Sequence, residues 1–271
     1  MGRIKKAILF VGFACIAYIG GTLLLRKVAR DSFVPQKDSL KGEVAIVAGA
    51  SRGVGKGIAI ALGEAGATVY VLARTSRGDK SERAKTYGGS VEETAEAVDA
   101  AGGRGVPMIV DCTSNEQVDA VVKKVVETEG RLDIVVGSVL NMPTESTRTH
   151  ALDHHIKFWD RLDLWDTLVV SVAKSAYLLA SSAVANTVAA GKGSQDNLLV
   201  VTIGGPTSTY VWNALYTPHK AFVNYFTRDA YTDLTMAGLE KDVSMLTILP
   251  GMVATERIIL YSPDVEDRYG I

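Results

Sequence analysis

Beyond residue 41, apolar runs of five to seven residues alternate with longer stretches whose apolar positions recur every three to four residues. The runs predict strands at 44–48, 68–73, 106–110, 132–136, 197–203 and 243–249, and the stretches predict helices at 54–65, 115–129, 159–190 and 216–237. A further helix opens at the capping box Ser90-x-x-Glu93 and stops at Gly102-Gly103. Between the second strand and that helix lies a polar insertion at 75–89 with six charges. Strands alternating with helices long enough to cross back over them imply an α/β fold. The expectation is one doubly wound parallel sheet of six strands in the order 3-2-1-4-5-6, helices on both faces, with a ligand at the point where strand order reverses.

The first forty residues break this pattern. Residues 7–25 carry no charge and are flanked by Arg3, Lys5 and Lys6 on one side and by Arg26, Lys27 and Arg30 on the other. A helix of that length covers about 28 Å, close to a hydrocarbon core of about 30 Å, so residues 1–40 read as a membrane anchor and linker, and 41–271 as one folded domain. A cleaved signal peptide is the rival, disfavoured by the apolar length and the lack of an Ala-x-Ala site. Equal basic flanks give no orientation. The absence of acids before Asp31 fits the mitochondrial inner membrane or the endoplasmic reticulum, the former preferred.

Chemistry enters at the first strand-to-helix turn. Gly49, Gly53 and Gly55 sit there with Ser51, Arg52 and Val54 between them. Glycine allows the tight turn and a close backbone approach, and the following helix presents free N–H groups that suit a phosphate. The spacing Gly49-x-x-x-Gly53-x-Gly55, then Tyr216-x-x-x-Lys220, then Pro250-Gly251, resembles the short-chain dehydrogenase/reductase family over residues 41–255. That resemblance implies a Rossmann-type domain and a nicotinamide cofactor held by the glycine loop, Asp111, Tyr216, Lys220, Pro250 and Gly251. It also implies a Tyr/Lys pair working with a serine and an asparagine.

Arg52 lies inside the loop, and Arg74 follows the second strand, where members that use NAD carry an acid for the ribose 2′-hydroxyl. Guanidinium groups suit a 2′-phosphate, so NADP(H) is the expected cofactor. Asp111 matches the aspartate that holds the adenine amino group, and also suits a cap on the next helix. Tyr216 is expected to deliver a proton to a substrate carbonyl, with Lys220 one helical turn away lowering its pKa.

Other parts of the set are missing. Where the family serine belongs, the chain reads Ile203-Gly204-Gly205-Pro206, and Ser208 is the nearest replacement. Where the helix asparagine belongs stand Ser171 and Val172. The family's Asn-Asn-Ala-Gly reads Gly137-Ser138-Val139-Leu140, with Asn141 as a partial substitute. Only 20 residues follow Gly251, which leaves the expected pocket without a covering segment.

Composition changes the picture little. Net charge is -1, from Lys+Arg 29 against Asp+Glu 30, and no basic patch argues for nucleic acid. Cys15 and Cys112 read as small apolar fillers, the histidines 150, 154, 155 and 219 as surface or loop residues, and Trp159, Trp165 and Trp212 as packing residues. Two functions follow. The lost serine and asparagine favour a cofactor-holding accessory subunit in a membrane protein complex, such as a respiratory assembly. The retained Tyr216 and Lys220 favour an NADP(H)-dependent reductase or dehydrogenase acting on a small carbonyl or alcohol.

Overall fold

The computed structural model describes residues 36–141, 158–160, 162, 164–189, 197–207, 214–251 and 253–261. The expected anchor at 7–25, Ser208, Trp212 and the histidines 150, 154 and 155 lie outside them.

Six parallel strands form one sheet in the order β3-β2-β1-β4-β5-β6. They are β1 (Val44–Ala48), β2 (Thr68–Ala73), β3 (Arg104–Ile109), β4 (Ile134–Gly137), β5 (Leu198–Ile203) and β6 (Val243–Ile248). Order and direction are those expected from the alternation of runs. Side chains of β1 divide between two cores: Ala45 and Val47 join Ile58, Leu62 and Val98 on one face, while Val44 and Ile46 join Val122, Leu179 and Leu234 on the other. A strand covered on both faces has no polar side to show, which is why β1 is apolar throughout and β5 is apolar except for Thr202, whose hydroxyl bonds Thr227 and Thr247. Asp133 pins the sheet where β4 begins. Its carboxylate accepts from the Val44 N–H at 2.7 Å and takes two bonds from Arg131, at 2.8 and 2.7 Å.

The helices are α1 (Gly53–Glu64), α2 (Glu82–Tyr87), α3 (Val91–Ala101), α4 (Asn115–Glu129), α5 (Ser171–Ala189), α6 (Tyr216–Met236) and α7 (Glu256–Tyr261). Three depart from expectation. α7 follows the last predicted strand, and the polar insertion contains α2, capped by Ser81 accepting from the Ala84 N–H at 3.3 Å. The single helix expected over 159–190 is instead a 3-10 turn at Phe158–Asp160, a π-helical stretch at Trp165–Val170, and then α5. The wider π turn accompanies the burial of both Leu164 and Leu168 against Leu140 and Leu215, and the Ser171 hydroxyl bonds back to the Thr167 carbonyl at the join.

Residues Trp165–Asn186 are long and apolar enough to cross a bilayer, yet Leu179, Ala180 and Ala183 of this stretch are buried in the core beside the sheet. Trp159 and Trp165 are not packing residues, being 61% and 54% exposed. His219 is the reverse correction, fully buried where a surface residue was expected.

Candidate active site

The turn after β1 places the first part of the site. Gly49 and Ala50 both donate to the Leu72 carbonyl, at 2.8 and 3.1 Å, which ties the loop to the end of β2. Gly49 has φ +73, and a Cβ there would lie 2.5 Å from the Ser138 carbonyl oxygen; one on Gly55 would strike the Gly49 carbonyl. Backbone therefore approaches backbone closely at both ends of the turn, as glycine alone permits. Arg52 stands at the N-cap of α1 without capping it through its side chain.

One cleft of about 260 Å3 brings the expected residues together. Gly49, Ser51, Arg52, Gly53, Val54 and Gly55 line it, with Arg74 and Asp111 at one end and Tyr216, Lys220, Pro250 and Gly251 at the other. Ser171 also faces it. Val172 does not, being buried with Ala176 and Val223.

The cleft is strongly cationic at the Arg74 end. The Arg52 guanidinium donates to Thr75 Oγ1 and to the Gly89 carbonyl, each at 3.2 Å, while its Nε is buried without an acceptor among the described residues. Arg74 donates to Asn141 Oδ1 at 3.0 Å, and Arg83 of α2 donates to the same oxygen. Asn141 thus serves the arginines and does not take up the role of the lost Asn-Asn-Ala-Gly. Burial first, and then Arg74, Arg257 and Arg52, push Arg83 down to about 10. Guanidinium groups crowded around one neutral acceptor fit an anion there.

At Asp111, burial raises the carboxyl but the two bonds from Thr113, at 2.9 and 2.7 Å, outweigh it and hold it below its ordinary value. The helix cap expected of Asp111 belongs to Ser114, whose Oγ accepts from the Gln117 N–H.

At the other end the Tyr/Lys pair is present but differently engaged. Lys220 Nζ donates to the Ile203 carbonyl at 3.1 Å, and burial pushes Lys220 down to about 8. Tyr216 is shifted upward by burial, opposed by the Arg257 guanidinium. The expected lowering by Lys220 is absent, since a cation committed to a strand carbonyl is not spent on the phenol. Tyr216 packs edge-on to His219 with 4.8 Å between ring centroids. His219 is driven to about 3, by burial and then by Lys220, so it stays neutral.

The serine position holds two glycines against which neighbouring side chains are packed. A Cβ on Gly204 would lie 2.5 Å from Thr247 Cγ2 and collide with Asn224 Oδ1; one on Gly205 would lie 2.9 Å from Lys220 Cγ. Asn224 is itself held by its bond to the Gly205 carbonyl at 3.0 Å.

Residues 43–264 match the family model described as short chain dehydrogenase. The chain belongs to the short-chain dehydrogenase/reductase family. Among curated relatives it is 30% identical over 229 residues to dehydrogenase/reductase SDR family member 1 of Mus musculus, covering 81% of this chain and 63% of that protein. The human counterpart is also 30% identical, over 220 residues, covering 80% and 62%. The chain thus spans under two thirds of the length of these relatives. In fold it is similar to a metagenomic short-chain oxidoreductase solved in complex with NADP, with TM-score 0.60, 24% identity, and 79% of this chain and 84% of that one covered. A short chain dehydrogenase from Mycobacterium paratuberculosis bound to NAD gives TM-score 0.62 at 19% identity, covering 85% and 81%. The family binds nicotinamide cofactors, and this member keeps the glycine turn for one.

Four lining or neighbouring residues had no signal in the sequence: Tyr87, Arg83, Glu256 and Arg257. All lie on helices of six residues, too short for periodicity to mark, and reach the cleft only because the chain folds back over it.

Proposed function

We propose that this short-chain dehydrogenase/reductase is a membrane-anchored NADP(H)-binding protein that serves chiefly as an accessory subunit of a membrane protein complex. The observation that carries the reading is the glycine pair at the serine position, packed under Asn224, Thr247 and Lys220. A cradle intact at Gly49, Gly53 and Gly55 stands beside Gly204 and Gly205, where no hydroxyl-bearing side chain fits without moving Asn224 and Thr247. The buried Val172 at the asparagine position and the diversion of Lys220 to Ile203 support it further. Binding to the folded state stabilises it by mass action without turnover, so such a protein keeps its cofactor site under selection for stability.

The phosphorylated cofactor is preferred because Arg52, Arg74 and Arg83 converge where the ribose 2′-position belongs in this family. When bound, the nicotinamide supplies or accepts hydride. The anchor at residues 7–25 places the domain on a membrane, mitochondrial inner or endoplasmic reticulum, with lipid and protein neighbours as partners.

A second reading, an active carbonyl reductase or alcohol dehydrogenase, rests on Tyr216 and Lys220 lining one cleft. There Tyr216, kept protonated by burial, is the proton donor, with Ser208 as the hydroxyl that assists. Migration of the detergent-solubilised chain on a native gel separates the two. A stable assembly of a size far above a dimer supports the accessory role. Migration as a monomer or dimer, with NADPH consumed on a small carbonyl, supports the reductase.

A further inference from the structure

The first N–H of α1, at the wall of the cleft, is already taken by a side chain. Gly53 N donates to Glu256 Oε2 at 2.9 Å, across 203 residues of sequence. Glu256 opens α7, which together with Val253 and Thr255 lies over the glycine turn. The same carboxylate is the foremost charge acting on Arg52 and favours its protonated form. Its neighbour Arg257 reaches across the cleft: the guanidinium stacks 4.7 Å from the centroid of Tyr87 on one side and acts on Tyr216 on the other.

We propose that Glu256 occupies the place of the cofactor's pyrophosphate, so that segment 253–261 is a latch which the cofactor must displace. The inference rests on the reading of the cleft as a dinucleotide site. A carboxylate and a phosphate compete for the same donor because both are anionic acceptors, and α1 carries no acid of its own in its first turn. With the latch in place the cleft has about 260 Å3, below the roughly 300–1,000 Å3 usual for small-molecule sites.

The latch also has room to leave. A second cavity of about 270 Å3 is lined by Val253, Ala254, Thr255, Glu256 and Ile259 together with α1, and Ile259 and Leu260 are 45% and 50% exposed. A half-exposed segment beside open space loses little packing when it moves. Glu256 therefore sets cofactor affinity by holding the closed state, and the apparent Kd is the intrinsic one divided by the open fraction.

The test is NADPH titration of the full chain in detergent, followed by fluorescence, for wild type, Glu256→Gln and Glu256→Ala, with thermal melts with and without NADPH. A latch closed about nine-tenths of the time weakens apparent affinity about tenfold, so Glu256→Ala tightens binding about tenfold and Glu256→Gln less. Without cofactor both variants melt below wild type, and with saturating NADPH the difference vanishes. Equal or weaker binding by both variants, with wild type binding normally, overturns the latch and leaves the dinucleotide site standing. No binding by any of the three overturns the dinucleotide site and the latch with it.

Discussion

Lys220 Nζ donates to the carbonyl oxygen of Ile203, the last residue of β5, and not to the phenol of Tyr216 one helical turn away. The bond holds the start of α6 against the end of the sheet. An amine without a carboxylate partner among the described residues gains a hydrogen bond there, and burial still lowers its pKa to about 8.

That lowering gives a pH signature. Unfolded, the lysine titrates near 10.4; folded, near 8. Between those values the unfolded chain binds more protons, so unfolding releases none and takes them up, and stability rises with pH across the window. Relative to Lys220→Met, which has no such group, wild type should gain about 2 kcal/mol from pH 8 to 9.5, read by urea unfolding at each pH. A constant difference across the window contradicts the burial of a titrating amine.

Tyr216→Phe separates binding from chemistry. The phenol lines the cleft at the end away from Arg74, and phenylalanine keeps its ring, so NADPH affinity should stay within about twofold, measured by fluorescence titration. If the chain reduces a carbonyl at all, the variant should lose turnover by about a hundredfold or more, because the proton donor is gone.

The arginine cluster predicts a cofactor preference. Arg74→Glu places an acid where a 2′-phosphate would lie, and should weaken NADPH by about tenfold or more while weakening NADH little, from a lost charge-assisted bond of about 1.5–3 kcal/mol. Arg83→Gln should act in the same direction. Equal losses for both cofactors in isothermal titration contradict the 2′-phosphate assignment.

Gly204→Ser tests whether the family serine can be restored. Overpacking against Asn224 and Thr247 should cost about 1–3 kcal/mol, lowering Tm by about 2–12 °C in a domain of this size, with no gain of reductase activity. A variant as stable as wild type, with new activity, would show the loop to be free to take the family's arrangement.

Asp133→Ala removes a buried acceptor that serves both the Val44 N–H and Arg131. The expected loss is about 1–3 kcal/mol in urea unfolding, since the buried Val44 N–H loses its acceptor.

The sequence by itself determined the sheet. Apolar runs with glycine at the turns fix six parallel strands and their order, because a strand buried on both faces cannot be polar and a crossover helix must return right-handed. It also determined the glycine cradle, where a Cβ would meet backbone, and the lack of a serine at Gly204 and Gly205. Only the tertiary structure decided what the side chains at the cleft do. Asn141 joins Arg74 and Arg83, Lys220 turns to Ile203, and Glu256 comes back from the far end of the domain to Gly53. Such pairings are long-range and depend on where short segments such as α2 and α7 dock, which periodicity does not encode. The chemistry of a motif is local, but the partner of each charged group is chosen by packing.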